Sequence, residues 1–216
     1  MTATTAGDTP GPPAGPARNR VMPTGDIVAI PRRGAWCGNR GVLHRGREIV
    51  RFHGGDRWIT CTLDFNGRWQ EQWRPGHYTM LYFADEAVAL AAGHRPCGEC
   101  RRPAYLAYRA AWAAGLGGPE PSARAMDRRL HGERLVAGTS RRRFHPMPWA
   151  SLPDGVFVLL DGTPAVVLGD GVTRWTVAGW AGRHARPRSG EAKIITPPAT
   201  VAVLRAGYRP QIDAEA

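Results

Sequence analysis

Lysine is almost missing from this chain: Lys193 stands alone against 28 arginines. Long apolar runs and a signal-peptide pattern are missing too, which argues against a membrane span and against export. Only four cysteines occur in 216 residues. Without a secretory context they do not read as a disulfide scaffold, and a cytoplasmic location is expected. The first twenty residues, MTATTAGDTPGPPAGPARNR, have too little apolar content to pack and carry Pro and Gly throughout. Residues 1–20 therefore read as a disordered tail.

What remains is ample for a core. At 43% hydrophobic content the chain does not need a metal merely to compensate for small size. The formal net charge of +11 points to a polyanionic partner, because clustered cations bind phosphates and release counterions. The same charge is also what an Ala/Arg/Gly/Pro-rich composition produces on its own. Eight tryptophans serve either as core anchors or as stacking surfaces.

The pattern along the chain is that of an α+β fold. REIVRF and RWITCTLDF flank HGGD, Asn66-Gly67 offers a hairpin turn before WQEQW, and YTMLYF completes an antiparallel meander. ADEAVALAAG reads as a short helix capped by Asp85 and closed by Gly93. PAYLAYRAAWAAG and SARAMDRRLHGERL read as two further helices. A basic, Pro-broken run, RRRFHPMPW, leads into a β-rich region with a turn at Asp161-Gly162. The expected divisions are 1–20, a metal-binding module at 21–116, a helical and basic connection at 117–150, and a β-rich region at 151–216. LYFADEAVALAAGHRPCGEC and IITPPATVAVLRAGYRPQIDA share a layout, so the last region is a candidate degenerate repeat with Gln211 and Ala214 at the register of Cys97 and Cys100.

The second cysteine pair, in AAGHRPCGEC, falls at a helix exit. Cys-x-x-Cys in a tight turn can present two thiolates to one tetrahedral ion. A redox dithiol is the rival reading, but no thioredoxin-like context accompanies it.

FADEAVALAAGHRPCGECRRP resembles the second half of the metal-binding domain of the bacterial Ada DNA-alkylation-repair proteins. GNRGVLH, residues 38–44, resembles the first half of similar modules attached to some nucleases. The resemblance implies a zinc site at His44, Cys61, Cys97 and Cys100, with Cys37 competing with His44 for one position. It also implies a nucleic acid partner, with DNA expected, in repair or processing. The departure from the pattern is the sixteen residues between His44 and Cys61. A symmetric turn at HGGD would set Cys61 opposite Glu48, roughly 13 Å of strand from His44.

In the Ada family a zinc thiolate accepts a methyl group from DNA, and an imidazole at His44 would not. Arg40, Arg45, Arg95, Arg101 and Arg102 flank the proposed ligands in sequence and are the candidate phosphate contacts. A second class of function, a metal-stabilised phosphodiester hydrolase, would use His131, Glu133 and His145. A third is a protein-interaction module docking through the C-terminal β region.

Overall fold

The computed structural model describes residues 15–68 and 70–213. Among these the chain is mixed α+β, as its patterning predicts. The first sheet is built from β1 (Arg18–Val21), β2 (Ile27–Ala29), β3 (Trp36–Asn39), β6 (Ile59–Cys61), β7 (Leu81–Phe83) and β8 (Arg95–Pro96), in the order β2-β1-β7-β3-β6-β8. A small ladder joins β4 (His44–Arg45) to β5 (Glu48–Ile49).

This sheet differs from the expected meander in two ways. It is mixed, because β1 joins β7 in parallel and β8 joins β6 in parallel. HGGD is not a hairpin turn either: β5 folds back on β4 through Gly46, held at φ 56°, while β6 leaves to pair with β3. Asn66 and Gly67 do make their turn, at φ 55° and 63°, but neither neighbour is in a strand. Residues 1–14 of the expected tail lie outside the described residues. Its last three residues begin β1, whose fourth residue, Val21, enters the core, and the Arg20 guanidinium lies 4.8 Å from the Tyr82 ring centroid.

The second sheet follows the order β13-β12-β11-β10-β14-β9, with β9 (His145–Pro148), β10 (Phe157–Leu160), β11 (Thr163–Leu168), β12 (Gly171–Thr176), β13 (Gly179–Ala185) and β14 (Glu191–Ile194). The Asp161-Gly162 turn, with both φ positive, is the hairpin geometry that matches strand twist. RRRFHPMPW is more than a connection. Its last part is β9, an edge strand, where Pro146 and Pro148 cost no interior ladder bond.

Four helices cover the sheets: α1 (Glu86–Ala91), α2 (Arg102–Leu116), α3 (Ala123–Arg134) and α4 (Pro198–Arg205). Tyr105, Tyr108, Ala111 and Trp112 of α2 recur at helical spacing. They enter one core with Leu90, Met126 and Leu130, Val158 and Val167 of the second sheet, and Val201 and Leu204 of α4. No described helix is long and apolar enough to cross a membrane.

The exits of α1 and α4 match. Gly93 (φ 91°) and Gly207 (φ 108°) are left-handed, with Gly93 N donating to Leu90 O and His94 N to Ala89 O, and Gly207 N to Leu204 O and Tyr208 N to Val203 O. That is the same helix-ending motif twice. The strands entering the two helices differ: β7 has a parallel neighbour, whereas both neighbours of β14 are antiparallel. Gln211, at the register of Cys97, accepts a hydrogen bond from Trp36 Nε1 at 2.9 Å; Ala214 lies outside the described residues.

All six residues of α1 are buried, and its first carboxylates join distant parts of the chain. Glu86 accepts from Arg101 Nη2 at 2.7 Å, from Tyr208 Oη at 2.5 Å and from Gln211 N at 3.2 Å. Removing one member of such a buried set leaves its partners' polar groups uncompensated. Glu86→Ala is expected to lower unfolding free energy by about 3–5 kcal/mol, read by denaturant unfolding, and Tyr208→Phe by much less.

Asp85 caps α1 by accepting from Val88 N at 2.7 Å and receives Asp213 N at 3.1 Å. Burial outweighs these bonds and raises its carboxyl to about 6. A folded-state value above the unfolded one means that this group's contribution to stability is full below about pH 4 and is lost as pH rises through about 6. Measured against Asp85→Asn, which does not titrate, the wild-type protein should lose roughly 3 kcal/mol between pH 4 and 7. Parallel stability curves for the two proteins would exclude this contribution.

Candidate metal centre

The backbone register brings the cysteines together. Cys37 on β3 stands directly opposite Cys61 on β6, and cross-strand partners share one sheet face. Gly38 permits the approach, because a Cβ there would lie 2.2 Å from Ile59 O. Parallel pairing of β6 with β8 then delivers the knuckle: Arg95 N donates to Trp58 O at 3.1 Å and Cys97 N to Thr60 O at 2.9 Å. Beyond Cys97 the chain turns so that Glu99 N donates to Cys97 Sγ at 3.4 Å, and Cys100 closes the turn just before α2.

The sulfurs of Cys61, Cys97 and Cys100 all lie within 4.8 Å of one another. Thiolates around a tetrahedral zinc stand about 3.8 Å apart, so this triad is close enough to hold a metal ion. Cys37 adjoins it: it stands across the strands from Cys61, and its sulfur donates to Thr62 O at 3.0 Å. Hydrogen bonding with Cys61 holds Cys97 down to about 5 and also lowers Cys37, in both cases against burial, while Cys61 itself is pushed far up. Burial raises Cys100.

His44 is placed elsewhere. Its Nδ1 is 2.7 Å from Thr79 Oγ1 and its Nε2 is 3.3 Å from Arg74 O. The carbonyl can only accept, so Nε2 carries the proton and Nδ1 accepts from the hydroxyl. The ring packs edge-on against Trp73 at 5.5 Å. Both nitrogens are engaged, and the strand that carries Cys61 pairs with β3, which sets it opposite Cys37 rather than His44. His94 is buried and accepts from Arg40 Nε at 3.2 Å; burial, reinforced by Arg40, holds its imidazole well below the usual range.

The arginines chosen by sequence proximity divide sharply. Arg40 is fully buried, 4.0 Å from the Trp58 ring centroid and 4.7 Å from that of Phe52. Arg95 forms a buried two-pronged pair with Asp127 at 2.8 Å and 2.8 Å. Arg101 is bound to Glu86 and donates to Thr60 Oγ1 at 2.9 Å. Arg95 and Arg101 are thus committed to buried carboxylates and Arg40 is packed among aromatic rings; of the five, only Arg45 and Arg102 are exposed.

His131, Glu133 and His145 do not converge on a common point. The Glu133 carboxylate holds Arg129 and the amide of Ala199, in the first turn of α4. His145 Nε2 donates to the Glu133 carbonyl oxygen at 2.8 Å, and the His131 ring packs 5.1 Å from that of His53.

The side chains missed in sequence are those lining the depression above the cysteines. This groove of about 1050 Å³ is lined by all four cysteines together with Arg57, Arg68, Arg74, His77, Phe65 and Tyr78. None flanks the knuckle in sequence, so only the tertiary fold could reveal them. No helix long enough to give a periodic signal carries them.

Gly38→Ala should force β6 away from β3 and cost about 1–3 kcal/mol as overpacking. Thermal unfolding would register the loss, and a variant as stable as wild type would mean that the two strands do not approach so closely. No family model, no curated protein and no solved structure matches the chain.

Proposed function

We infer that this chain is a zinc protein whose thiolate knuckle braces a nucleic-acid-binding groove, in the manner of the Ada-like modules it resembles. The observation that carries the reading is the position of the cysteines, on the wall of a groove that also carries Arg57, Arg68 and Arg74. Zinc is favoured among metals because the donors are sulfurs close enough together to share one ion.

The fourth ligand in this reading is Cys37 rather than His44. Cross-strand pairing with Cys61 supports it, and so does the full hydrogen bonding of the His44 ring. Guanidinium groups along the wall suit phosphate oxygens, while exposed Leu63 and Tyr78 offer apolar and stacking surface for bases. DNA backbone is the expected partner, since the resemblance is to repair and nuclease-associated modules.

Protein purified without added zinc should carry about one equivalent, lost in Cys97→Ser and in Cys37→Ser and kept in His44→Ala. Retention in Cys97→Ser would sink the centre, and the reverse behaviour of Cys37 and His44 would restore the histidine set. Labelled single- and double-stranded oligonucleotides titrated at several salt concentrations test the partner. Arg68→Gln combined with Arg74→Gln should lower the salt slope by about two units. Absence of binding near physiological salt would remove nucleic acid from the reading and leave the zinc site standing.

A further inference from the structure

A second depression, of about 800 Å³, adjoins the first and shares Arg57, Ile59, Cys97 and Glu99 with it. We propose that it is a phosphate monoester site, with Arg57, Arg102 and Arg124 as the side chains that grip the dianion. The assignment does not depend on nucleic acid being the partner of the neighbouring groove.

The argument is one of charge accounting. Three acids line this depression, and two of them already face a cation. Asp127 spends both oxygens on Arg95. Glu99 is held by Arg68 at 2.6 Å. Asp56 enters no ion pair among the described residues and stands as one carboxylate against the arginines. The exposed arginines have no such commitment. Arg57 on the loop before β6, Arg102 at the start of α2 and Arg124 at the start of α3 enter no ion pair and no side-chain hydrogen bond among the described residues. Three elements thus bring three free guanidinium groups to the edge of one cavity.

Two features of the wall add to this. Arg40, wholly buried and with neither Nη atom partnered, also lines the cavity. The 15-residue α2 begins there with no side-chain cap on its first turn, and uncapped amides at a helix start favour an anion. Tyr105, with Arg95 5.5 Å and Arg102 5.9 Å from its ring centroid, presents an already cation-loaded ring that would not attract a further cation. The volume lies within the range of small-molecule sites, roughly 300–1,000 Å³, so the group carrying the phosphate has room as well.

A phosphate monoester carries about −1.5 to −2 charge at pH 7 and three strong acceptor oxygens. Guanidinium forks match those oxygens with paired N–H donors. A carboxylate ligand, with one charge and two oxygens, would leave a guanidinium unused.

The test uses full-length, metal-replete protein and inorganic phosphate as the probe, followed by calorimetry. Saturable binding is expected, weakened at least about tenfold in Arg57→Gln combined with Arg124→Gln, since each charge-assisted bond is worth roughly tenfold. Metal content and unfolding temperature must be unchanged in that variant, and Arg57→Lys combined with Arg124→Lys should recover part of the affinity. Comparing 5′-phosphorylated with 5′-hydroxyl oligonucleotides then identifies the source. Tighter binding of the phosphorylated strand, lost in the Gln variant, assigns the site to strand ends; equal binding of the two strands beside retained phosphate affinity assigns it to a free monoester. No saturable phosphate binding, or equal binding by wild type and the Gln variant, overturns the proposal, whatever the outcome for the Arg68 and Arg74 variants.

Discussion

A six-residue helix buried along its whole length is the constraint on which the rest of this molecule turns. Alone, so short a helix would not form, because nucleation costs more than one turn of hydrogen bonds returns. Here α1 persists because both ends are held by side chains from elsewhere. Asp85 caps its first turn. At the other end Arg142 donates to the carbonyls of Ala91 and Ala92, and Arg134 to that of Gly93. Those carbonyls would otherwise be unsatisfied in the interior. The cations come from the end of α3 and from the segment before β9, so the helix pins both to the first sheet. Through Glu86 it also pins Arg101 beside the cysteine knuckle and Tyr208 at the exit of α4. Burial holds Arg134 and Arg142 below the ordinary arginine range, to about 9 and about 10, and the charge of Arg142 lowers Arg134 further.

The readable parts of the sequence were those governed by local rules. Asp85 as cap, Gly93 as helix exit, the Tyr105-to-Trp112 stripe and the Asp161-Gly162 turn all depend on residues within a few positions of each other. Cys97 and Cys100 were legible for the same reason. Pairing partners of short strands were not. β6 is three residues long, too short for alternation to say whether it pairs with β5 or with β3, and that choice decides whether Cys61 meets His44 or Cys37. The parallel β1 strand was hidden in a stretch whose composition is that of a tail, since only Val21 and the packing of Arg20 on Tyr82 distinguish it.

Arginine was the residue type most easily misread, and the reason is physical. Its delocalised, weakly hydrated guanidinium can be buried against aromatic rings and carbonyls where lysine's ammonium cannot. Arg40 and Arg134 both lie about 4 Å from the Trp58 ring centroid, and Arg95, Arg101 and Arg142 are likewise consumed inside. Neighbourhood to a ligand in sequence therefore selected cations that face inward. A net charge of +11 includes these interior charges, so it overstates the free positive charge of the surface.

The cysteine knuckle and the buried helix are parts of one device. Cys61 and Cys97 are brought together across a long excursion that contains the Asn66-Gly67 turn, β7 and α1, and the ladder bonds joining β6 to β8 are few. Closing so long a loop carries an entropy cost that grows slowly with its length. Two registered pairs alone are a weak clasp, yet Arg101, one residue past the knuckle, reaches Thr60 on β6 and Glu86 on α1 at once. That side chain therefore links the position of the thiolates to the packing of α1. A shift of the helix would be felt at the sulfurs, and a cation drawing the sulfurs together would in turn favour the buried arrangement of Arg101, Glu86 and Tyr208, because ligand binding to the folded state alone stabilises whatever geometry the ligand requires.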